Sequence, residues 1–218
     1  NNTGDYMNLS KSLEENYNHI KTDFVDCSDF LIRKAKTGNR EFLIMVCDGL
    51  IDSLQLSQMV VSPILRCDEI DIDTIKKSIT NSVELNEAET FADCYYYVMS
   101  GFAVVLVDGE DKALAFGVQS PPARSVDVPS NEQSTKAPKE AFVEVLNTNK
   151  ALLRKRLKTP HLKLKQIKLA SSAPMPCVIA YMDDRADKEL VSQITLALQR
   201  SNLNTLTDFG TLVPFIDT

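Results

Sequence analysis

Side chains able to do chemistry are sparse in this 218-residue chain. It contains two histidines, His19 and His161, five cysteines and the adjacent carboxylates Asp183 and Asp184. A pair of carboxylates can act as general acid and base, so a hydrolase using Asp183 or Asp187 is the enzymatic alternative. No HExxH pair and no Cys/His cluster occurs, so the sequence predicts no metal site. We expect a protein that is not an enzyme and that needs no cofactor.

The glycine and cysteine patterns exclude further classes of enzyme. Seven glycines are spread along the chain, without GxGxxG, a P-loop or a GxSxG elbow, so a glycine-rich phosphate cradle and a serine-hydrolase site are not expected. The cysteine spacings match no disulfide or zinc framework, which favours reduced thiols in a cytosolic compartment. The cysteines are Cys27, Cys47, Cys67, Cys94 and Cys177.

The composition is that of a soluble globular protein, with 44% hydrophobic and 25% charged residues. The longest apolar runs, 42–47 and 102–107, are far shorter than the roughly 20 residues of a spanning helix. The first residues lack the apolar core of a signal peptide. These features predict a soluble chain or a soluble part of a longer protein.

Positive charge is concentrated in one segment of an acidic chain. The formal net charge is −6, yet residues 136–168 carry ten Lys and Arg against two acids. Helical periodicity places Lys150, Arg154 and Lys158 on one face, and strand alternation sets Lys163 and Lys165 opposite Leu162 and Leu164. We therefore predict a basic stripe that faces outward. A solvated face, an acidic protein partner and an anionic membrane surface all fit it, while the scarcity of aromatic residues disfavours nucleic acid.

The elements that position these residues form an α/β or mixed α+β fold in two small subdomains. Apolar spacing and turn signals predict an N-terminal subdomain over 1–118, a Pro/Ser-rich linker over 119–138 and a C-terminal subdomain over 139–218. The N-terminal helices are expected at 5–22, from Asp52 to a limit at Pro63, at 70–80 and at 90–100. The N-terminal strands are expected as two hairpins, 29–34 with 41–47 and 102–107 with 112–118. The C-terminal subdomain is expected to contain a helix opened by Pro138, strands at 161–170 and 177–182, a helix at 187–200 and a short segment at 204–209.

Two strand–turn–helix stretches resemble each other at an offset of 135 residues. Asp48 matches Asp183 and Asp52 matches Asp187 in this alignment. Acids at such turns commonly cap the following helix. Asn147 and Asn149 lie in the predicted basic helix, where asparagine has poor propensity, so their amides should bond to neighbouring backbone. The candidate residues for a ligand or subunit interface are Asn147, Asn149, Arg154, Arg156, Asp48 and Asp183.

Several stretches together resemble the GerA family of spore germination proteins, in the N-terminal region of a receptor A subunit. RSVDVP at 124–129 precedes a helix of the form F-x-E-x-x-x-T-N-x-x-L-x-R-x-R, met here from Phe142 to Arg156. CVIAYMDD at 177–184, FLIMVCDGLID at 42–52 and GFAVVLVDGEDKALAF at 101–116 also resemble family segments. Glycines usual in the family are replaced near Ala137 and Ala141 and at Ala170, which removes positive-φ options there.

The resemblance implies partners and a location. Members continue into transmembrane helices, lie in the spore inner membrane with other germinant receptor subunits, and respond to nutrients such as amino acids and sugars. By this resemblance the present region faces the spore core, with its basic segment near anionic lipid or a neighbouring subunit. The expected roles are receptor assembly, signal coupling and binding of a small germinant.

Overall fold

The structure is a computed structural model that describes residues 7–38, 40–79, 83–120, 142–169 and 175–200. The chain forms two compact units: a first unit of residues 1–22 and 29–159, and a second unit of residues 23–28 and 160–218. This division differs from the predicted boundaries, because residues 142–159 group with the first unit and residues 23–28 with the second. Most of the predicted linker (121–138) and the segment 204–209 lie outside the described residues.

The first unit is built on a five-stranded antiparallel sheet, which confirms the mixed α+β class. Its order is β1-β2-β4-β5-β3, so the two predicted hairpins lie side by side, with β1 at one edge of the sheet and β3 at the other. The register pairs Phe30 with Cys47 in the first hairpin and Phe102 with Gly117 in the second. The strands are β1 Phe30–Thr37, β2 Arg40–Cys47, β3 Leu85–Ala88, β4 Phe102–Val107 and β5 Ala113–Gly117.

Helices cover both faces of this sheet, so every residue of the central strand β4 is buried. Alternate residues of a strand point to opposite faces, and the face that carries Phe42, Val105 and Phe116 forms one core with the helical residues Val60 and Ile75. On the other face α5 packs against β2 and β4, and α1 lies against α5 through His19 and Phe91. The helices of the first unit are α1 Leu13–Asp23, α2 Ser53–Gln55, α3 Ser62–Leu65, α4 Ile72–Ile79, α5 Phe91–Val98 and α6 Leu146–Arg156.

Polar side chains start these helices where the sequence indicates. The Asp52 carboxylate accepts from the backbone N–H of Leu54 and Gln55, and Thr90 forms a reciprocal capping box with Asp93 ahead of α5. The Asp71 carboxylate likewise accepts from the N–H of Thr74. The hydrogen bonds that Thr74 donates to the Asp71 carboxylate are the main reason that the pKa of Asp71 lies below its usual range. The predicted helix starts at Asp52 and Thr90 are therefore confirmed, and the helix predicted from residue 70 begins at Ile72.

Two helix boundaries differ from the prediction. Helix α1 begins at Leu13 rather than at residue 5, and residues 8 and 9 instead pair with backbone near Thr90. Pro63 does not end its helix, since a π-helical turn, Leu56–Val61, is followed directly by α3. Pro63 lies in the first turn of α3, where a missing backbone N–H costs little.

The second unit contains an antiparallel hairpin and one helix. Strands β6 Leu162–Leu169 and β7 Met175–Met182 pair along their length, and α7 Lys188–Arg200 packs on β6. Its small core contains Ile167, Leu169 and Leu198. The backbone of residues 26–28 bonds to Leu164 and adds a third, parallel edge to this hairpin. Asp26 has a φ of +60° there, a conformation that aspartate tolerates better than most residues.

Among the described residues, no helix is both long enough and apolar enough to cross a bilayer.

Burial of the sheet core predicts how two leucines differ in their contribution to stability. Leu114 is 1% exposed in β5, whereas Leu54 is 64% exposed in α2. We expect Leu114→Ala to lower the free energy of unfolding by about 2–5 kcal/mol, because it removes buried methyl groups and leaves a cavity. The matched Leu54→Ala should change it by less than about 0.5 kcal/mol. Denaturant unfolding measures both, and equal losses would contradict the described core.

Candidate functional site

The candidate residues of the first unit centre on a buried ion pair between α6 and the start of β1. Arg154 donates from Nε to Asp29 Oδ2 at 2.8 Å and from Nη2 to Asp29 Oδ1 at 3.1 Å. The two side chains are 0% and 1% exposed. Arg154 Nη1 also donates to the carbonyl of Thr159 at 2.7 Å and lies 4.0 Å from the Met99 sulfur. A guanidinium forms such a two-bond fork with a carboxylate, which a lysine cannot reproduce.

The prediction that the basic side chains face outward is therefore wrong for Lys150, Arg154 and Lys163. Lys150, Ala151 and Arg154 form the inner face of α6, with Lys150 4% and Arg154 0% exposed. In the second unit Lys163 is 6% exposed and donates to the backbone carbonyl of Asp23. Helical spacing did group Lys150 with Arg154, but spacing alone does not say which face of a helix is buried. The ion pair with Asp29, 125 residues away, decides it.

Helix α6 begins later than the sequence indicates, and Asn149 accounts for its first turn. The side chain of Asn149 accepts from the N–H of Val143 at 2.8 Å and donates to the carbonyl of Val143 at 2.6 Å. The expected amide-to-backbone bonds are thus present for Asn149, local to the chain just before the helix, whereas the amide of Asn147 bonds to the side chain of Asp48 instead. Helix α6 starts at Leu146, and Phe142 and Val145 are non-helical, with exposed fractions of 66% and 60%.

Asn147 and Asp48, two further candidates, lie together beside α6. Asn147 Nδ2 is 3.5 Å from Asp48 Oδ2, at the limit of a hydrogen bond. The neighbouring Gly49 has a φ of +80°, and a Cβ there would meet the Asn147 carbonyl oxygen and the Ala151 Cβ at 3.2 Å. The Asp-Gly turn after β2 therefore comes close to α6 because residue 49 has no side chain.

The exposed end of α6 forms a surface with α5, which we call the α5–α6 surface (Tyr96, Lys155, Arg156, Leu157 and Lys158). Lys158 Nζ lies 5.3 Å from the centre of the Tyr96 ring and donates to Ser100 Oγ at 2.9 Å. A cation over an aromatic face is attracted by about 0.5–1 kcal/mol when exposed. Tyr96 is 59% and Leu157 43% exposed. Arg156 is exposed whereas Arg154 is buried, so the two arginines have different environments.

The first unit also has an open cleft of about 510 Å³ lined mostly by charged side chains. Lys76 bonds to Glu87, and Arg40 Nη1 lies 3.1 Å from Glu110. The bond from Lys76 is the main reason that the pKa of Glu87 lies below its usual value. Lys112 bonds to Glu89, which raises the pKa of Lys112. The lining residues are Arg40, Asp71, Ile72, Asp73, Lys76, Glu87, Glu110, Asp111 and Lys112. No pattern along the sequence groups these residues, because β2, β3, the turn between β4 and β5, and the start of α4 contribute them.

Asp183 belongs to the second unit, whereas the other candidate residues belong to the first. Its Oδ1 is 2.8 Å from His161 Nδ1 and its Oδ2 is 3.2 Å from Lys163 Nζ. Burial alone would raise the pKa of Asp183, but the hydrogen bonds and positive charge of His161 and Lys163 outweigh it and lower the pKa. Asp187, the other acid considered for hydrolysis, caps α7 by accepting from the N–H of Glu189.

All five cysteines lie within the described residues, and none of them forms a disulfide. Cys27, Cys47 and Cys94 are buried, whereas Cys67 and Cys177 are partly exposed. Burial strongly raises the pKa of Cys94 and also raises that of Cys177. A raised pKa keeps a thiol protonated and unreactive, which does not favour a nucleophilic role for either residue.

Comparison with known sequences identifies relatives over nearly the whole chain. The family described as "Bacillus/Clostridium GerA spore germination protein" matches residues 18–218. Spore germination protein B1 of Bacillus subtilis is 29% identical over 97% of this chain and 45% of its own length. Spore germination protein KA of the same organism is 24% identical over 96% of this chain and 40% of its own length. The chain thus spans less than half the length of these relatives.

Comparison with solved structures supports the fold. The crystal structure of the N-terminal domain of the A subunit of the Bacillus megaterium spore germinant receptor GerK3 superimposes with a TM-score of 0.70. It is 24% identical, and the match covers 94% of this chain and 83% of that one. At this identity the likeness establishes the fold alone.

The buried ion pair predicts a large difference between two arginines two residues apart. Arg154→Met leaves the Asp29 carboxylate buried without its main partner, so we expect a loss of about 3–5 kcal/mol in the free energy of unfolding. Arg156→Met removes the same charge at an exposed position and should change stability by less than about 0.5 kcal/mol. Denaturant unfolding measures both. If Arg154→Met unfolds like Arg156→Met, the pair does not hold α6 in place.

Proposed function

Because this chain belongs to the GerA family of spore germination proteins, we propose that it is the N-terminal module of a germinant receptor A subunit. Its relatives are more than twice as long as the part that this chain matches. The remainder of such a protein would lie in the spore inner membrane, with this module on the spore-core side. The module would act in receptor assembly and in coupling the germinant signal, rather than as an enzyme.

The α5–α6 surface is the observation that carries this proposal. It combines an exposed tyrosine, an arginine and a leucine, and tyrosine and arginine are enriched where proteins bind each other. It also carries three exposed cations, Lys155, Arg156 and Lys158, on a chain whose net charge is −6. We infer that this surface binds an acidic face of another receptor subunit.

Rigid attachment of α6 makes the same surface suitable for coupling. The buried Arg154–Asp29 pair and the close approach of the Asp48-Gly49 turn hold α6 against the start of β1 and the end of β2. A force applied at the exposed end of α6 therefore reaches the sheet through a fixed element. Coupling between sites needs such rigid elements or an element with two arrangements.

Substitutions on the α5–α6 surface test the assembly role in the receptor expressed with its other subunits. Tyr96→Ala and Arg156→Glu should each weaken co-purification of the other subunits and slow germination. A central aromatic residue of an interface is worth about 2 kcal/mol or more, which is roughly thirtyfold in affinity. Arg33→Glu, at an exposed position of β1, is the matched control and should leave both readouts unchanged.

The outcomes separate a protein partner from a lipid partner. Loss of co-purification in both variants but not in Arg33→Glu supports subunit contact. If the subunits still co-purify while binding of this chain to anionic vesicles is lost in Arg156→Glu, the surface faces lipid and the assembly role is wrong. Melting temperatures equal to that of the unmodified chain would show that each variant is folded.

A second candidate function, binding of a small germinant, is favoured by the charged cleft. An amino acid carries one ammonium and one carboxylate, and the cleft offers carboxylates beside Arg40, Lys76 and Lys112 within one open space. Its volume of about 510 Å³ falls within the range typical of small-molecule sites. The cleft cations already pair with Glu87, Glu89 and Glu110, so a ligand must compete with these bonds. For this reason we rank germinant binding below assembly.

Titration with small amino acids and sugars tests the second function. We expect saturable NMR shifts confined to the cleft, and a loss of about tenfold or more in affinity in Arg40→Gln, since removing a charged hydrogen bond costs about 1.5–3 kcal/mol. Lys21→Gln, an exposed lysine of α1, serves as the control. A flat response from a well-folded chain would contradict germinant binding by this module.

A further inference from the structure

We propose that His161, Asp183 and Asp184 bind a divalent transition-metal ion in the second unit. The inference is independent of the function proposed for the first unit. One imidazole nitrogen and one oxygen from each carboxylate all lie within 4.8 Å of one another. Imidazole together with carboxylate is a donor set suited to Zn²⁺ or Mn²⁺.

The hairpin fixes the first two donors relative to each other. Leu162 pairs with Met182 at one end of the hairpin. His161 lies immediately before Leu162 and Asp183 immediately after Met182, and the N–H of Asp183 donates to the carbonyl of His161 at 3.0 Å. Their side chains are therefore cross-strand neighbours, with His161 Nδ1 2.8 Å from Asp183 Oδ1. Donors bound at about 2.1 Å in a tetrahedral site are about 3.4 Å apart, so a small widening of this pair admits the ion.

The third donor lies in a turn that is held at both ends. Arg185 and Ala186 donate from their backbone N–H to the carbonyl of Met182, which closes the turn that carries Asp184. Immediately after it, Asp187 caps α7 through the N–H of Glu189. The side chain of Asp184 contacts the largely exposed Arg185 at 3.6 Å. Such a surface pair is worth little, so Asp184 is available to a metal.

Lys163 positions Asp183 without occupying its metal-facing oxygen. The buried ammonium of Lys163 lies 3.2 Å from Asp183 Oδ2 and donates to the carbonyl of Asp23. Asp183 Oδ1 is left facing His161. Partners of this kind orient metal-binding carboxylates and are part of many metal sites. With a neutral imidazole the three donors carry two negative charges, which exceed the single charge of Lys163.

The small core of the second unit gives the metal a structural role. The apolar cluster between the hairpin and α7 contains Ile167, Leu169 and Leu198, Leu162 and Leu164 of β6 are also buried, and a two-stranded hairpin by itself is marginally stable. Small folded units commonly add a metal to compensate for a limited core. An ion bound by His161, Asp183 and Asp184 would join the end of the hairpin to the turn before α7.

Paramagnetic Mn²⁺ is the probe that tests the site, because it prefers carboxylate ligands and binds cysteine thiolates weakly. In an isotope-labelled sample of the chain, substoichiometric Mn²⁺ should broaden amide signals near residues 161 and 183–185, and Zn²⁺ should reverse that broadening by displacement. Saturating Zn²⁺ should also slow hydrogen exchange in β6 and β7, since a ligand of the folded state alone stabilises it.

Two variants and one control decide the outcome. His161→Gln and Asp184→Asn should each weaken Mn²⁺ binding by about tenfold or more, with otherwise unchanged spectra. Asp111→Asn is the matched control, since Asp111 lines the charged cleft of the first unit, and it should bind Mn²⁺ as the unmodified chain does. Broadening centred on the cleft, equal affinity in Asp184→Asn and Asp111→Asn, or no saturation would overturn the proposal.

Discussion

The buried pair of Arg154 and Asp29 is the interaction on which the arrangement of the first unit depends. It joins α6 to a residue 125 positions earlier, and the carbonyl of that same Asp29 accepts from the N–H of Asp48 at 2.7 Å. One aspartate thus holds the start of β1, the end of β2 and α6 together. Burying either charge alone would be costly, so neither residue is tolerated there without the other.

The buried pair also determines which charged side chains of α6 stay on the protein surface, where they can contact a partner. Helix α6 directs Lys150 and Arg154 inward and leaves Lys155 and Arg156 outward. A basic segment that looks uniform in sequence therefore has two roles, one in packing and one on the surface. Lys158 lies over the Tyr96 ring, and this mixture of exposed cations with tyrosine and leucine is more typical of a protein interface than of a purely solvated face.

The second unit depends on polar contacts to a greater extent than the first. Its apolar core is small, and residues 23–28 are held to β6 by backbone bonds and by Lys163, while the Tyr181 hydroxyl donates to Asp26. Burial, together with the charge of Asp26, raises the pKa of Tyr181 to about 12, so that hydroxyl stays a donor. The hairpin is thereby supported along one edge and at its end by side chains rather than by a large apolar face.

Most local elements and the family could be predicted from the order of residues alone. Periodicity and turn residues located both N-terminal hairpins, β6, β7 and α7, and acids such as Asp52 and Asp187 were correctly associated with helix starts, because caps and alternation depend on near neighbours. The tertiary structure alone decided that Arg154 is buried, that residues 23–28 join a later hairpin, that β3 completes the sheet, and that His161 meets Asp183. Each of these depends on contacts between residues far apart in the chain, and local spacing carries no information about them.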